Sequence, residues 1–325
     1  MTQDHRLLRN NTISLRDDRQ NAYGLGRVPR EEATPPSLQS DRRRVSYETA
    51  RLLSALPRNP MRQHPMTHPI VARAFDKAAS SYDAAAHAQA EVAKTLVASA
   101  DFAQPRSILD IGCGTGFVLA EAATRWPVAK LTGLDIAPAM LSEAKRKIPR
   151  LATLRADAST CDLTERFDLI FSSMTLHWFP HPEETLRRWQ NWLTSQGVLC
   201  VAVPVAGSLG AWRELCEGAS VGHGLWAFPP ADFANSLTRD RALRQHVMTY
   251  GSVLEFLRDL KRLGGGTPRE DHRPICPALL RKLFQEAPRP FRVGYNVLYA
   301  QMGRSAAPIG ASEPALTDAN IHIER

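Results

Sequence analysis

The feature that most constrains this chain is an apolar segment that runs into a glycine-rich turn and is followed by a segment ending on an acid. Residues 107–117 read SILDIGCGTGF, and Asp135 ends the segment KLTGLD a short helix later. Glycines at alternate positions let the backbone turn tightly and leave main-chain N–H groups open to a ligand. A carboxylate about 20 residues further on is placed to accept hydrogen bonds from both hydroxyls of a ribose. The pattern predicts a nucleoside-binding unit of strand, helix and strand.

An acid beside the glycine turn narrows the choice of nucleoside. Asp110 comes two residues before Gly112, and the glycines at 112, 114 and 116 replace the Gly-x-Gly-x-x-Gly spacing of dinucleotide sites. A carboxylate there would repel a pyrophosphate and would favour a cation, such as the α-ammonium of a methionine moiety. The turn therefore favours a nucleoside that carries an amino acid.

This combination resembles the class I S-adenosylmethionine (SAM)-dependent methyltransferases, whose pattern residues 104–204 follow. The resemblance implies SAM as the methyl donor. It also implies cofactor contacts along this part of the chain, from Asp110, Gly112, Gly114, Gly116, Asp135, Ile136, Met140, Asp157, Ala158 and Ser172.

Alternating strands and helices predict a doubly wound, mostly parallel α/β sheet of seven strands. The N-terminal helical pattern runs over 71–100, and strands are predicted near 107–111, 130–135, 152–155, 167–172 and 197–203. After Pro204 the predicted elements are helices at 208–217, 230–237, 252–263 and 277–286 and strands at 245–250 and 291–302. Helices inserted before the last two strands are expected to form a roof, residues 205–290, over the cofactor.

Composition sets outer limits on the function. The 325 residues contain no apolar run of the roughly 20 residues that a membrane span needs. The five cysteines are scattered, with no Cys-x-x-Cys pair, which favours a reducing cytoplasmic setting without a disulfide framework and predicts no metal site.

Charge and periodicity divide the chain into three parts. Residues 1–68 carry twelve arginines against seven acids and lack periodicity, so we expect a disordered basic extension. Residues 69–304 form the predicted methyltransferase domain, and 305–325 a disordered tail. Residues 205–304 carry fourteen basic against nine acidic residues, which favours an anionic partner. The arginine-rich N-terminus lacks interleaved aromatics, so nucleic-acid binding ranks low.

Four further segments sharpen the resemblance. In order they are AFDKAASSY (74–82), GSL (207–209), LKRLG (260–264) and GYNVLY (294–299). Together they resemble the malonyl-acyl carrier protein O-methyltransferases of biotin synthesis (BioC) over 71–304. The resemblance implies methyl transfer to the free carboxylate of malonyl-carrier protein, with malonyl-CoA as the alternative acceptor. We expect the protein to be a monomer. Phe75 and Tyr82 would close over SAM, and Tyr295 would face the acceptor.

The basic roof residues Arg213, Arg258, Lys261 and Arg262 are candidates for docking an acidic carrier protein. Arg213 and Lys261 are alternatively candidates to pair with the malonyl carboxylate, which makes them candidate catalytic residues beside Tyr82 and Tyr295.

Two other functions stay open. A methyltransferase for another small acid, similar to trans-aconitate methyltransferase, would share the Asp135 region and the segment Leu176-His177-Trp178. A protein similar to the arginine-hydroxylase and complex I assembly group would keep the fold without methylating anything. His177 is a candidate general base, although a carboxylate acceptor is already ionised at pH 7 and needs none.

Overall fold

A mostly parallel sheet forms the centre of this computed structural model, which describes residues 68–238, 240–264 and 273–304 and the backbone of 321–323. The strands are Ser107–Ile111 (β1), Lys130–Asp135 (β2), Ala152–Arg155 (β3), Phe167–Ser173 (β4), Leu193–Pro204 (β5), Asp240–Tyr250 (β6), Phe291–Gly303 (β7) and Ile321–Ile323 (β8). They lie in the order β3-β2-β1-β4-β5-β7-β6-β8. The chain therefore reverses direction across the sheet after β3, and β1 and β4 meet where a doubly wound sheet binds its ligand.

The helices of the described residues alternate with the strands through the first half of the fold. They are His68–Tyr82 (α1), His87–Ser99 (α2), Phe117–Arg125 (α3), Pro138–Lys147 (α4), Pro182–Gln190 (α5), Gly210–Gly218 (α6), Val253–Arg262 (α7) and Pro277–Glu286 (α8). None of them is long and apolar enough to cross a membrane. The predicted α/β doubly wound fold is confirmed.

The central strands are buried on both faces because helices cover each side of the sheet. On one face Ile108 packs in a cluster with Val92 of α2 and Leu119 of α3. On the other face the next residue, Leu109, belongs to a cluster with Trp189 of α5. This alternation fixes the register of β1, and with it the position of the glycine turn that follows.

Among the strands of the described residues, β7 alone runs against the others. It is antiparallel to both β5, where Val201 pairs with Ala300, and β6, where His246 pairs with Tyr295. The eighth strand, Ile321–Ile323, pairs in parallel with β6 at the sheet edge. These three residues were expected in a disordered tail, so that expectation is wrong for them. The rest of that tail and residues 1–67 lie outside the described residues.

Several predicted boundaries shift for tertiary reasons. The N-terminal helical pattern is broken into α1 and α2, because a turn at Asp83 anchors the chain to the body of the protein. The predicted helix at 230–237 is instead a series of turns closed by i→i+3 hydrogen bonds, such as Asn235 N–H to Asp232 O at 3.0 Å. Strand β6 starts five residues earlier than predicted, because its eleven-residue ladder with β7 sets its length.

A histidine is buried inside this antiparallel pair. His246 is fully buried, and its Nε2 lies 2.8 Å from the Tyr299 hydroxyl. Burial, and secondarily the charge of Arg244, lowers the pKa of His246 from 6.5 to about 4. The folded protein therefore resists protonation of this imidazole over a range in which the unfolded chain accepts it.

We expect this histidine to make the free energy of unfolding decrease as the pH is lowered. Below pH 6.5 the unfolded state takes up a proton that the folded state refuses until about pH 4. The free energy of unfolding should thus decrease by about 2 kcal/mol between pH 7 and pH 5. Urea unfolding at several pH values should show this decrease in the parent protein and lose it in His246→Gln. Equal pH dependence in the two proteins would contradict the assignment.

Candidate active site

The glycine turn after β1 needs glycine for both conformation and space. Gly112, Gly114 and Gly116 have φ of +69°, +52° and +91°, in the left-handed region that favours glycine. A Cβ on Gly112 would come within 2.8 Å of three atoms of the Thr175 side chain. Gly112 and Gly114 line the cavity described below, whereas Gly116 sits behind it, facing Ala144 of α4. Gly116 therefore lets α3 and α4 approach one another and lies outside the ligand space.

Asp135 shapes this turn while it faces the cavity. Its Oδ2 accepts a hydrogen bond from Gly114 N–H at 2.9 Å, and its Oδ1 accepts one from Ala137 N–H at 2.8 Å. Burial raises the pKa of this carboxyl above its usual value, and the two backbone N–H groups oppose that rise. The end of β2 is thereby tied to the turn after β1, with the remaining acceptor positions of Asp135 available to a ligand.

An open cleft of about 790 Å³ lies beside Asp135 at the carboxyl edge of the sheet. Most of the predicted cofactor residues line it: Phe75, Tyr82, Gly112, Gly114, Asp135, Ile136, Met140, Asp157 and Ala158. Asp157 also closes its own turn, because its Oδ1 accepts hydrogen bonds from the Ser159 N–H and hydroxyl at 2.8 and 2.7 Å. This donor cleft is long and largely apolar, which fits an adenosyl group.

The serine predicted on β4 is displaced by one residue. Ser172 is fully buried, and its hydroxyl donates a hydrogen bond to Ile111 O of the neighbouring strand β1 at 3.0 Å. Its side chain therefore does not line the donor cleft. Ser173 lines the donor cleft instead. Successive residues of a strand point to opposite sides, so an error of one residue exchanges a structural serine for a ligand-facing one.

Asp110 lies in a smaller cavity of about 340 Å³ next to the glycine turn. Its side chain is buried, and Oδ1 has no hydrogen-bond partner among the described residues. Burial and the nearby charge of Asp135 together raise the pKa of Asp110 well above its ordinary value. An unpaired buried carboxyl of this kind is stabilised by a cation, so the residues present fit the ammonium group of a methionine moiety.

A second cavity of about 580 Å³ adjoins the donor cleft. Tyr82 and Met174 line this acceptor cavity, the donor cleft and the smaller cavity alike, while Tyr295 and His177 line only the acceptor cavity. Burial raises the pKa of both Tyr82 and Tyr295 above the usual tyrosine value. Both phenols therefore keep their protons at neutral pH and act as hydrogen-bond donors.

The two predicted cationic residues lie outside the acceptor cavity. Arg213 is held within the roof, where its guanidinium donates to Ser208 O and Trp226 O at 3.3 and 3.1 Å and lies 5.7 Å from the Phe228 ring centroid. Lys261 is exposed on α7. From that helix Leu260, not Lys261, lines the cavity. The sequence singled out these two cations but could not show which way their side chains face.

Helix α1 closes the donor cleft from outside the sheet. Phe75 lies 5.8 Å, edge to face, from Trp178 and 6.3 Å from Tyr82 between ring centroids. Two carboxylates fasten the helix: Asp76 Oδ1 accepts from Ala139 N–H at 2.8 Å, and Asp83 Oδ1 accepts from the Thr115 hydroxyl at 2.6 Å. The aromatic cover is thus attached to the N-terminus of α4 and to the glycine turn.

Several residues of the site were not predicted, among them Trp178, Met174 and Gln89. Trp178 forms a wall shared by the donor cleft and the acceptor cavity, Met174 contacts both, and Gln89 contacts the acceptor cavity and the smaller one. The first two lie on the segment after β4, whose position at the carboxyl edge of the sheet was a usable signal. Gln89 follows no motif, and only the packing of α2 reveals it. No group of three or more His, Cys, Asp or Glu side chains suited to a metal occurs in the described residues.

Comparison with known proteins agrees with this geometry. A family model described as "Methyltransferase domain" matches residues 108–197. The "Biotin biosynthesis bifunctional protein BioCD" of Bordetella avium is 35% identical over 240 residues, 71% of this chain and 51% of that protein. A "Malonyl-[acyl-carrier protein] O-methyltransferase" of Laribacter hongkongensis is 31% identical over 215 residues, 60% of this chain and 72% of that protein. A "Trans-aconitate 2-methyltransferase" of Methylobacterium radiotolerans is 40% identical over 112 residues, 34% of this chain and 43% of that protein.

The fold, the glycine turn and the matching domain define a class I SAM-dependent methyltransferase, so the predicted methyl donor is confirmed. Within that class, the chain belongs to the malonyl-[acyl-carrier protein] O-methyltransferase family. It spans about half the length of the bifunctional Bordetella relative.

Replacement of Asp135 by alanine should weaken SAM binding at least about tenfold. The reason is that the two hydrogen bonds expected from the ribose hydroxyls to the Asp135 carboxylate are lost. Titration calorimetry measures the change. Asp162→Ala removes an exposed acid of the same length and should leave the affinity unaltered. A parent-like SAM affinity in Asp135→Ala would exclude Asp135 from ribose binding.

Proposed function

We propose that this protein transfers a methyl group from SAM to the free carboxylate of malonyl-acyl carrier protein, giving the methyl ester used in biotin synthesis. The proposal rests on one observation: the donor cleft adjoins the acceptor cavity at Tyr82, and the acceptor cavity is lined by no Asp, Glu, Lys or Arg among the described residues. The relatives of this chain support the same reaction. A monomeric state and a cytoplasmic location belong to the same proposal.

The residues present suit a reaction in which the methyl donor and the acceptor must be aligned but no acid–base catalysis is required. Bound SAM supplies an electrophilic methyl group on a positively charged sulfur. A carboxylate acceptor is ionised at pH 7, so no side chain has to remove a proton. The aromatic rings of Phe75 and Trp178 exclude water from the junction and offer their electron-rich faces to a cation.

Tyr82 and Tyr295 are the groups we assign to orient the acceptor. Both side chains line the acceptor cavity. As protonated donors they can each give one hydrogen bond to a carboxylate oxygen. The cavity-lining residues that the structure describes include no lysine or arginine. Orientation of the acceptor then depends on these neutral donors.

The exposed basic end of α7 suits the carrier protein better than the carboxylate. Arg258, Lys261 and Arg262 are all exposed there, and Leu260 of the same helix reaches the acceptor cavity. Acyl carrier proteins are acidic, so a basic surface beside the cavity would speed encounter and orient the acyl arm. Of the two roles expected for Lys261, we therefore favour docking of the carrier protein over pairing with the carboxylate, and we assign Arg213 to the support of the segment around Trp226.

A second candidate acceptor is a small tricarboxylic acid. The 40% identity to a trans-aconitate 2-methyltransferase supports it, although that match covers 34% of this chain. The neutral lining of the acceptor cavity argues against it, because three carboxylates would be left without a cation there.

We expect labelled SAM to methylate malonyl-carrier protein in preference to malonyl-CoA and trans-aconitate. Base-labile label in each acceptor measures the product. The preference for the carrier protein over CoA should shrink as salt rises, because the exposed charges of α7 are then screened. Label only in trans-aconitate, or in none of the three, would refute the proposed function.

Replacement of Tyr295 by phenylalanine should lower kcat/KM for the malonyl acceptor about tenfold, since one hydrogen bond to a charged oxygen disappears. SAM affinity should stay the same, because Tyr295 does not line the donor cleft. Tyr250→Phe is the matched control, as Tyr250 is also buried in the roof region but lines neither cavity. An equal loss in both variants would point to packing and against acceptor binding.

A further inference from the structure

Gln89 occupies a place that no motif assigns. It lies on α2 and lines both the acceptor cavity and the smaller cavity that contains Asp110. The same turn of α2 is anchored by Ala88 and Val92, which are buried against the sheet. The carboxamide of Gln89 is therefore held by a rigid helix at the boundary between two ligand spaces.

Three oxygens around the smaller cavity have unused hydrogen-bonding capacity. Gln89 Oε1, Asp110 Oδ1 and Ser173 Oγ are all buried, and none has a partner among the described residues. All three side chains line the same cavity. A buried oxygen left without a donor is destabilising, so three such oxygens in one cavity indicate a ligand that brings several donors.

A primary ammonium group matches this set. It offers three N–H donors and a positive charge, and one of the three oxygens belongs to a carboxyl group. Resting on the proposed function, we propose that Gln89 links the two substrates. Its carbonyl oxygen accepts a hydrogen bond from the α-ammonium of SAM, together with Asp110 and Ser173, while its amide N–H donates to the acceptor carboxylate.

This arrangement couples the positions of donor and acceptor. A carboxamide carries an acceptor and a donor in one plane, so Gln89 can serve both ligands at the same time. The amide then orients the carboxylate relative to the methionine part of SAM, alongside Tyr82, which lines the same two cavities. Gln89 is accordingly a positioning residue at the junction.

Two substitutions at this position separate the two hydrogen bonds. Gln89→Met keeps the length but removes both, so it should weaken SAM and S-adenosylhomocysteine about tenfold and raise the KM of the malonyl acceptor. Gln89→Glu keeps an acceptor for the ammonium but places a negative charge beside the acceptor carboxylate. It should bind SAM within about threefold of the parent while raising the acceptor KM at least about tenfold.

Two controls test whether the cavity stays intact. 5′-Methylthioadenosine has the nucleoside but no ammonium, so all variants should bind it as the parent does. Ser173→Ala should weaken SAM and S-adenosylhomocysteine with no change in the acceptor KM. Calorimetry provides the affinities, and the methylation assay provides kcat and KM separately.

The inference is overturned if Gln89→Met binds S-adenosylhomocysteine as tightly as the parent, or if Gln89→Glu and Gln89→Met change SAM affinity and acceptor KM in parallel. Parallel loss of 5′-methylthioadenosine binding would also refute it, since it would show a structural role. The calorimetric result does not need a malonyl acceptor. It therefore distinguishes failure of this inference from failure of the proposed function.

Discussion

The carboxylate of Asp135 is the interaction on which the rest of the site depends. Its two oxygens hold the N–H groups of Gly114 and Ala137, and so join the turn after β1 to the turn after β2. Strands β1 and β2 end at the same edge of the sheet, but this alone does not fix the position of one turn relative to the other. The hydrogen bonds of Asp135 do so. The buried charge is costly, and the raised pKa of Asp135 reflects that cost. The backbone N–H groups offset part of it, and the hydroxyls of a ribose are suited to offset more.

The wall that α1 adds to the donor cleft depends on interactions between residues far apart in the chain. Asp76 and Asp83 accept hydrogen bonds from Ala139 N–H, at the start of α4, and from the Thr115 hydroxyl, in the glycine turn. These contacts place Phe75 and Tyr82 over the space that the turns define. The aromatic cover is therefore part of the same polar network as the glycine turn, although it belongs to a different region of the sequence.

Local sequence patterns predicted the fold class and most of the donor cleft, because strand, turn and ribose carboxylate follow one another within about 30 residues. The patterns failed where tertiary packing decides. Ser172 and Ser173 are neighbours, and only the register of β4 shows that the second one faces the ligand. Arg213 and Lys261 were recognised as roof cations, but their directions depend on how α6 and α7 pack. Gln89 carried no signal, because a single glutamine on an amphipathic helix resembles any surface residue.

The position of Tyr82 has a consequence for how the two ligand spaces are connected. One side chain borders both ligand spaces and sits at the end of a helix that is fastened to the glycine turn. In the proposed reaction, the demethylated nucleoside and the newly made ester would both border this one phenol ring, so a change at this single side chain would affect both products.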